Sequence, residues 1–249
     1  MKFVGVIPSR WAATRFPGKP LAMINGKPML EWVIRGTKES RLLQEVIVAT
    51  DDSRIAELAE KCGARAVMTD PDLPTGTDRV WQAVRDLDAD VVLNIQGDEP
   101  LVDGRNLDLL MEPFLADSSL EMGTLACDLV EADLDSKNSV KVILKHNGDA
   151  IYFSRFPIPY SRLEFSMAPQ LALKHIGIYA YRRNFLNQFC SQEPTALEKM
   201  ESLEQLRALY MGARIRVIPV QQESWGVDIP EDVQMVEKLM ANKLESSKK

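Results

Sequence analysis

Three basic side chains follow the first apolar segment of the chain and could bind a polyphosphate. Arg10, Arg15 and Lys19 come after FVGVI, and Gly18 precedes the lysine. In open α/β sheets, ligands bind beyond the carboxyl ends of the strands, where such a loop emerges. Cations at that position can hold phosphate oxygens and offset the charge on a departing pyrophosphate. The alternative interpretation is a solvated basic loop without a ligand.

Two familiar phosphate-binding motifs are absent from this loop. A Walker A motif requires glycine where Ala13 stands and Ser or Thr where Pro20 follows the lysine. The first turn also lacks the GxGxxG pattern of dinucleotide-binding proteins. An ordinary ATPase and a dinucleotide-dependent dehydrogenase are therefore both disfavoured.

Two aspartates far apart in the chain could hold a divalent cation. Asp98 follows the apolar segment DVVLNI and Gly97, so we expect it at the same sheet edge as the basic loop. Asp228, in the segment GVDIP, could supply a second carboxylate, since magnesium commonly takes one or two protein carboxylates together with substrate phosphates. Asp228 is equally suited to cap the helix predicted to begin at Pro230. Glu99 is a further possible ligand.

Small hydroxyl residues and one histidine are weaker candidates. The segment Thr75-Gly76-Thr77 suits backbone-led contacts to a base or a ribose. A helix N-terminus capped by Thr77 explains the same segment without a ligand. His175 and Tyr179 lie four positions apart on a predicted strand and therefore share one face of it.

Short apolar segments alternate with amphipathic segments over the first half of the chain. We predict strands at 3–7, 45–50, 64–68 and 90–95, and helices at 28–38, from Asp51 or Asp52 to Cys62, at 78–87 and at 106–115. This alternation indicates βαβ crossovers and a mostly parallel sheet. Strands at 122–129, 140–144, 150–154 and 173–181 then indicate an inserted antiparallel or mixed region. A helix at 197–210, with Glu201 and Gln205 on one solvated face, a strand at 214–219 and a helix at 230–244 complete the prediction.

The composition favours a globular protein of a reducing compartment. Of 249 residues, 45% are hydrophobic and 27% charged, the formal net charge is −6, and no run of Lys and Arg stands out. Binding to nucleic acid or to a membrane surface is therefore disfavoured. The three cysteines lack disulfide or zinc-site spacing, and the apolar start ends at Pro8, which predicts a cytoplasmic protein without a membrane span. The length predicts one α/β domain over residues 1–249 with a smaller strand-rich lobe at roughly 120–195.

A series of longer segments extends over almost the whole chain. In order they are IPSRWAATRFPGKPL, VATDD, TGTDR, NIQGDEPL, YFSRFPIPY, KHIGIYAYR, LEQLRAL and GVDIPED. Together they resemble the 3-deoxy-manno-octulosonate cytidylyltransferase family. The resemblance implies a Rossmann-like nucleotide-diphospho-sugar transferase fold, with a mixed, mostly parallel α/β sheet and a smaller inserted dimerisation region. It also implies a homodimeric, Mg²⁺-dependent enzyme that transfers CMP from CTP to the sugar acid 3-deoxy-D-manno-octulosonate (Kdo) for lipopolysaccharide synthesis.

The resemblance assigns roles by position. Nucleotide contacts fall to Ser9, Arg10, Arg15, Lys19, Thr75, Gly76 and Thr77; the sugar-acid pocket to Gln96, Arg155, His175, Tyr179, Glu204 and Gln205; and the magnesium ligands to Asp98 and Asp228. The expected catalytic residues are Lys19, Arg10 and Asp98. The expected reaction is in-line attack of the anomeric hydroxyl on the α-phosphate of CTP. The metal would lower the pKa of that hydroxyl, and the basic loop would stabilise the leaving pyrophosphate.

Some residues depart from the family pattern. Ser9 and Trp11 stand where Ala and Tyr are more usual, and Phe156 stands where a small residue is usual. Phe156 could reshape a pocket wall, so a variant sugar such as 8-amino-Kdo stays open. A sialate or other sugar-acid cytidylyltransferase is the nearest alternative, and a non-catalytic nucleotide-binding module is the alternative from another class. Pyrophosphate release with a panel of sugar acids separates these hypotheses.

Overall fold

The computed structural model describes residues 1–12, 16–160, 162, 171–221 and 225–246. The chain divides into two compact units, Met1–Asp108 with Ser224–Lys249, and Leu109–Glu223. The lobe predicted at roughly 120–195 falls within the range of the second unit, and the single-domain organisation stays a prediction. None of the helices in the described ranges combines the length and the apolar character needed to cross a bilayer.

Strands and helices alternate along the first unit, as the sequence predicts. The elements are β1 (Phe3–Ser9), a 3-10 turn (Lys19–Leu21), β2 (Met23–Ile24), β3 (Lys27–Pro28), α1 (Met29–Lys38), β4 (Leu43–Thr50), α2 (Ser53–Lys61), β5 (Arg65–Met68), α3 (Gly76–Val84) and β6 (Val91–Asn94). Next come α4 (Gly104–Ala116), β7 (Met122–Asp128), α5 (Glu131–Leu134), β8 (Lys141–Leu144), β9 (Ala150–Ser154), β10 (Ala172–Arg182), α6 (Arg183–Cys190), α7 (Ala196–Glu201), α8 (Gln205–Tyr210), β11 (Ile215–Pro219) and α9 (Asp232–Ser246).

The sheet of the first unit is parallel. Strand β1 lies between β4 and β6 and runs parallel to both, and β5 runs parallel to β4. The inner strands are buried on both faces, which explains their continuous apolar sequences. Because the carboxyl ends of parallel strands meet at one edge, the segments after β1 and β6 emerge side by side. This edge carries the basic loop and the segment that contains Asp98.

The second unit has the mixed sheet that the closely spaced strands predict. Strand β7 is antiparallel to β10 and parallel to β11, while β8 pairs with β10 and β9 pairs with β8. The register of β10 shifts between Ile176 and Tyr179. The hydroxyl of Thr124 fills this irregularity, since it lies 3.1 and 2.8 Å from the carbonyl oxygens of Ile176 and Ile178. His175 and Tyr179 remain on the same face of β10, with ring centroids 5.4 Å apart.

The predicted helix at 197–210 is wrong, because the structure has two helices there. Helix α7 ends at Glu201, Ser202 has a left-handed backbone with φ of 52°, and α8 begins at Gln205. Arg155 donates from its guanidinium to the carbonyl oxygens of Glu201 and Ser202 at 2.7 and 3.2 Å. A continuous helix would need those oxygens for its own N–H groups. Glu201 and Gln205 therefore do not share one helical face.

Candidate functional site

A pocket of about 320 Å³ opens at the carboxyl edge of the parallel sheet in the first unit. Its lining includes the predicted residues Ser9, Arg10, Lys19, Thr75, Gly76, Gln96, Asp98 and Asp228, together with Pro8, Phe16, Pro20, Leu73, Pro74, Arg79 and Gly97. Thr77 does not line this pocket. It is buried in α3, where its hydroxyl accepts a hydrogen bond of 3.3 Å from the Asn94 amide. Arg15 lies outside the described residues.

The ends of the basic loop are held together by Trp11 and Gly18. Gly18 donates its N–H to the Trp11 carbonyl at 3.1 Å. Its φ of 71° favours glycine, and a Cβ there would lie 2.8 Å from the Trp11 ring. The Arg54 guanidinium lies 3.4 Å from the centroid of the same ring, in a cation–π contact. This packing fixes the backbone from which Lys19 projects.

Lys19 joins the two candidate metal-binding carboxylates. Its ammonium lies 2.6 Å from Asp98 Oδ2 and 3.9 Å from Asp228 Oδ1. It also donates to the Val227 carbonyl at 2.9 Å, and Val227 donates its own N–H to the Asp98 carbonyl at 2.9 Å. The structure therefore brings Asp98, Asp228 and one cation together, as the sequence predicts. Their roles in binding and catalysis stay predictions.

Asp228 does not cap the last helix. Helix α9 begins at Asp232, so the helix-capping interpretation of Asp228 is wrong. The carboxylate of Asp232 instead accepts the N–H groups of Asp228 and Ile229 at 2.8 and 3.0 Å. These bonds shape the turn that presents Asp228 to the pocket.

Gly97 allows β1 and the segment after β6 to approach closely. A Cβ at Gly97 would lie 2.7 Å from both the Pro8 carbonyl oxygen and Ser9 Oγ. Ser9 is only 4% exposed, and its hydroxyl has no hydrogen-bond partner within the described part of the chain. A buried hydroxyl that lines a pocket in this way is suited to a ligand atom.

The N-terminus of α3 forms another wall of the pocket. Its N-cap residue is Thr75, whose side chain accepts from the Asp78 N–H, so the expected cap at Thr77 is wrong by two residues. Arg79, on the first turn of α3, is 2% exposed and pairs with Asp51 at 3.5 Å. We did not select Arg79 from the sequence. The available signal was its place in the segment TGTDR, which also contains the pocket residues Thr75 and Gly76.

A second polar cluster lies inside the second unit. The rings of Phe153 and His175 meet edge to face at 5.0 Å. The Tyr179 hydroxyl donates to Gln205 Oε1 at 3.1 Å. Gln205 is 2% exposed, and its amide nitrogen has no partner among the described residues. The cluster thus contains His175, Tyr179 and Gln205 of the predicted sugar-binding set, and Glu204 immediately precedes α8.

The hydrogen bonds around His175 indicate which of its ring nitrogens carries the proton. Nε2 lies 3.0 Å from Thr124 Oγ1, and that hydroxyl also contacts two carbonyl oxygens, to one of which it must donate. His175 therefore donates its Nε2–H to Thr124, and Nδ1 is left as an acceptor. Burial lowers the pKa of His175 to about 3, so the ring is neutral at physiological pH.

Known proteins resemble this chain over almost its whole length. The sequence model of the Cytidylyltransferase family matches residues 4–215. The 3-deoxy-manno-octulosonate cytidylyltransferase of Bdellovibrio bacteriovorus is 54% identical over 97% of this chain and 99% of its own length. That of Geobacter metallireducens is 47% identical over 96% of this chain and 98% of its own. The chain belongs to the 3-deoxy-manno-octulosonate cytidylyltransferase family.

A solved structure of this family supports the fold. It is a CMP:2-keto-3-deoxy-manno-octonic acid synthetase complexed with CTP, 39% identical to this chain, with a TM-score of 0.92. The match covers 98% of this chain and 100% of the other. The predicted family and the predicted α/β fold with a largely parallel sheet are therefore confirmed.

His175 should make the stability of this family member depend on pH. An unfolded histidine has a pKa of about 6.5, whereas desolvation lowers the pKa of the partly buried His175 ring to about 3. Between these values the unfolded chain binds the additional proton, so the free energy of unfolding falls as pH falls below about 6.5. Replacing His175 with Gln should reduce that slope by up to ~1.4 kcal/mol per pH unit, measured by urea unfolding between pH 4 and 6.

The exposed His146 provides the matched control. His146→Gln should keep the slope of the wild type. Above about pH 7 the slopes of all three proteins should agree, because the unfolded histidine is then neutral too. An unchanged slope in His175→Gln would show that His175 is not buried as a neutral ring.

Proposed function

We propose that this protein transfers CMP from CTP to the anomeric hydroxyl of Kdo and releases pyrophosphate, for lipopolysaccharide synthesis. The observation that carries the proposal is the pocket in which Lys19, Asp98 and Asp228 meet at the carboxyl edge of the parallel sheet. This arrangement suits a metal-bound triphosphate. The choice of CTP as the nucleotide and of Kdo as the sugar acid rests on the family relationship.

The nucleotide is held by the walls of this pocket. Arg10 and Lys19 supply positive charge for the phosphate oxygens, and the residue type of Arg15 suits the same role. Thr75 and Gly76 lie at the N-terminus of α3, where backbone N–H groups favour oxygen acceptors. Ser9 contributes a buried hydroxyl. Lys19 and Arg10 stabilise the negative charge that develops on the leaving pyrophosphate.

The donor set of the pocket fits a magnesium ion. The carboxylates of Asp98 and Asp228 and the Val227 carbonyl already surround one cation, the Lys19 ammonium. No group of three or more His, Cys, Asp or Glu side chains suited to a metal occurs in the described ranges. Magnesium typically completes its shell with phosphate oxygens and water. Asp98 and Asp228 would hold the ion, which would offset phosphate charge and lower the pKa of the attacking hydroxyl.

The polar cluster of the second unit suits binding of the sugar acid. Gln205 offers a buried amide N–H, and His175 offers the acceptor Nδ1. Because the pKa of His175 is about 3, the ring is too weak a base to take the anomeric proton at neutral pH. His175 therefore orients the sugar and does not activate it.

The protein acts as a homodimer through its second unit. Strand β9 pairs with β8 and exposes half of Ile151, while Phe156, Tyr160 and Met200 are 75%, 88% and 85% exposed. Exposed apolar side chains of this size are typical of interfaces. We expect light scattering to give twice the mass of the chain, and Phe156→Asp to shift the mass toward one chain. A wild-type protein that stays monomeric at micromolar concentration would contradict this assignment.

One assay tests the function directly. Purified protein is incubated with Mg²⁺, one of CTP, UTP or ATP, and one of Kdo, 8-amino-Kdo or N-acetylneuraminate, and pyrophosphate is measured. We expect release with CTP and Kdo. Release only with 8-amino-Kdo or with the sialate would identify a related cytidylyltransferase. CTP binding without release from any sugar acid would identify a nucleotide-binding module. We further place the protein in the cytoplasm, which suits its three cysteines, since none of them forms a disulfide in the described part of the chain.

A further inference from the structure

A buried lysine in the second unit has no part in the proposed reaction. The side chain of Lys141 is 0% exposed, and its ammonium donates to the carbonyl oxygens of Ser136, Ser139 and Arg155 at 2.9, 2.6 and 2.6 Å. Three acceptors satisfy its three N–H bonds. Because a buried charge is unfavourable without such partners, these bonds fix the backbone at Arg155, immediately after β9.

The same point of the backbone is fastened to the end of α7. One carboxylate oxygen of Glu201 accepts the Ser154 hydroxyl at 2.7 Å, and the other accepts the Arg155 N–H at 2.9 Å. In return, the Arg155 guanidinium donates to the carbonyl oxygens of Glu201 and Ser202, and to that of Lys137 at 2.9 Å. These bonds join the end of β9 to the turn between α7 and α8.

This turn determines where Gln205 lies. Ser202 holds a left-handed backbone, which is uncommon for a residue with a side chain and persists when neighbouring bonds enforce it. Gln205 follows three residues later, and its amide nitrogen is buried without a partner among the described residues. A small rotation of the turn would therefore move the amide away from the Tyr179 hydroxyl and from the sugar.

We propose that Lys141 and Glu201 are positioning residues for the sugar acid. They hold the end of β9 against the turn that presents Glu204 and Gln205. Arg155 belongs to the same joint, since its guanidinium donates to three backbone carbonyl oxygens; the direct sugar contact that the family resemblance implies for Arg155 stays a prediction. The inference rests on the proposed function, because it concerns the sugar of that reaction.

Steady-state kinetics with separately varied CTP and Kdo test the inference. The variants are Glu201→Gln, Lys141→Met and the control Glu193→Gln, which changes an exposed glutamate. We expect Glu201→Gln to raise the KM for Kdo by about tenfold while the KM for CTP stays within about twofold. The folded fraction of Lys141→Met should also have a raised KM for Kdo and a nearly unchanged KM for CTP. Both KM values of Glu193→Gln should equal those of the wild type.

Each outcome is decisive. If both KM values of Glu201→Gln equal those of the wild type and only the folded fraction falls, the joint is structural and the inference is wrong. An equal rise in both KM values would also overturn it, because positioning of the sugar would then not be selective. If Lys141→Met does not fold, the Glu201→Gln result decides alone. Failure of the wild type to release pyrophosphate from CTP and Kdo would refute the proposed function and not this joint.

Discussion

Replacing Asp98 with Asn should lower kcat by roughly a thousandfold while binding of CTP partly survives. The Asp98 carboxylate lines the pocket and lies 2.6 Å from the Lys19 ammonium, which is also 3.9 Å from Asp228. Asparagine keeps the size of the side chain and removes its charge, so the oxygen set loses its affinity for a divalent cation. Arg10, Lys19 and the N-terminus of α3, which also line the pocket, would still be available to bind the nucleotide. Pyrophosphate release and calorimetric titration with CTP measure the two effects.

The exposed Asp88 provides the control for this change. Asp88→Asn removes the same charge away from the pocket and should leave both kcat and CTP binding unaltered. Thermal unfolding of Asp98→Asn should show an intact fold, because the Val227 N–H bond to the Asp98 carbonyl does not involve the side chain. Turnover equal to that of the wild type would remove Asp98 from the mechanism.

Replacing Lys19 with Met should lower kcat/KM for CTP by roughly a hundredfold or more. The ammonium ties the basic loop to Asp98 and to the Val227 carbonyl. In the proposed mechanism it also supplies positive charge for the leaving pyrophosphate. Methionine has a similar length and makes none of these bonds. Lys19→Arg should restore little of the lost kcat/KM for CTP, because a planar guanidinium cannot replace a compact ammonium between acceptors at 2.6 and 2.9 Å. Initial rates with varied CTP at saturating Kdo give the result.

Lys27→Met is the matched control for Lys19. Lys27 pairs with Glu31 on the surface of α1 at 3.1 Å and does not line the pocket, so its loss should not change the kinetics. Kinetic constants of Lys19→Met that equal those of the wild type would show that the basic loop is a solvated surface and would contradict the proposed mechanism.

Most features that local patterns control were predicted correctly, although the N-cap of α3 is Thr75 and not Thr77. Buried parallel strands have continuous apolar sequences, so β1, β4 and β6 could be located within a few residues. The sequence offered Asp51 or Asp52 as the cap of α2, and Asp52 is the N-cap residue, whose side chain accepts the Arg54 N–H. The meeting of Asp98 with the basic loop followed from a rule on parallel sheets and not from residue spacing.

The wrong prediction of one helix at 197–210 involves contacts between residues that are distant in sequence. The sequence of 197–210 suits one helix, but the chain turns at the left-handed Ser202, where Arg155 donates to the carbonyl oxygens of Glu201 and Ser202. Helix propensity does not include such a partner. In the same way, the bond from Lys19 to the Val227 carbonyl spans 208 positions and leaves no periodic signal. The roles of the site residues stay predictions until the variants are measured.

The first unit is discontinuous, and this has a consequence during synthesis. It combines Met1–Asp108 with Ser224–Lys249, so Asp98 leaves the ribosome long before Asp228. A nascent chain therefore lacks Asp228, the second candidate metal-binding carboxylate, until translation is almost finished. Products of premature termination would contain the basic loop and Asp98 but lack Asp228, so the pair of carboxylates proposed to hold the metal would be incomplete.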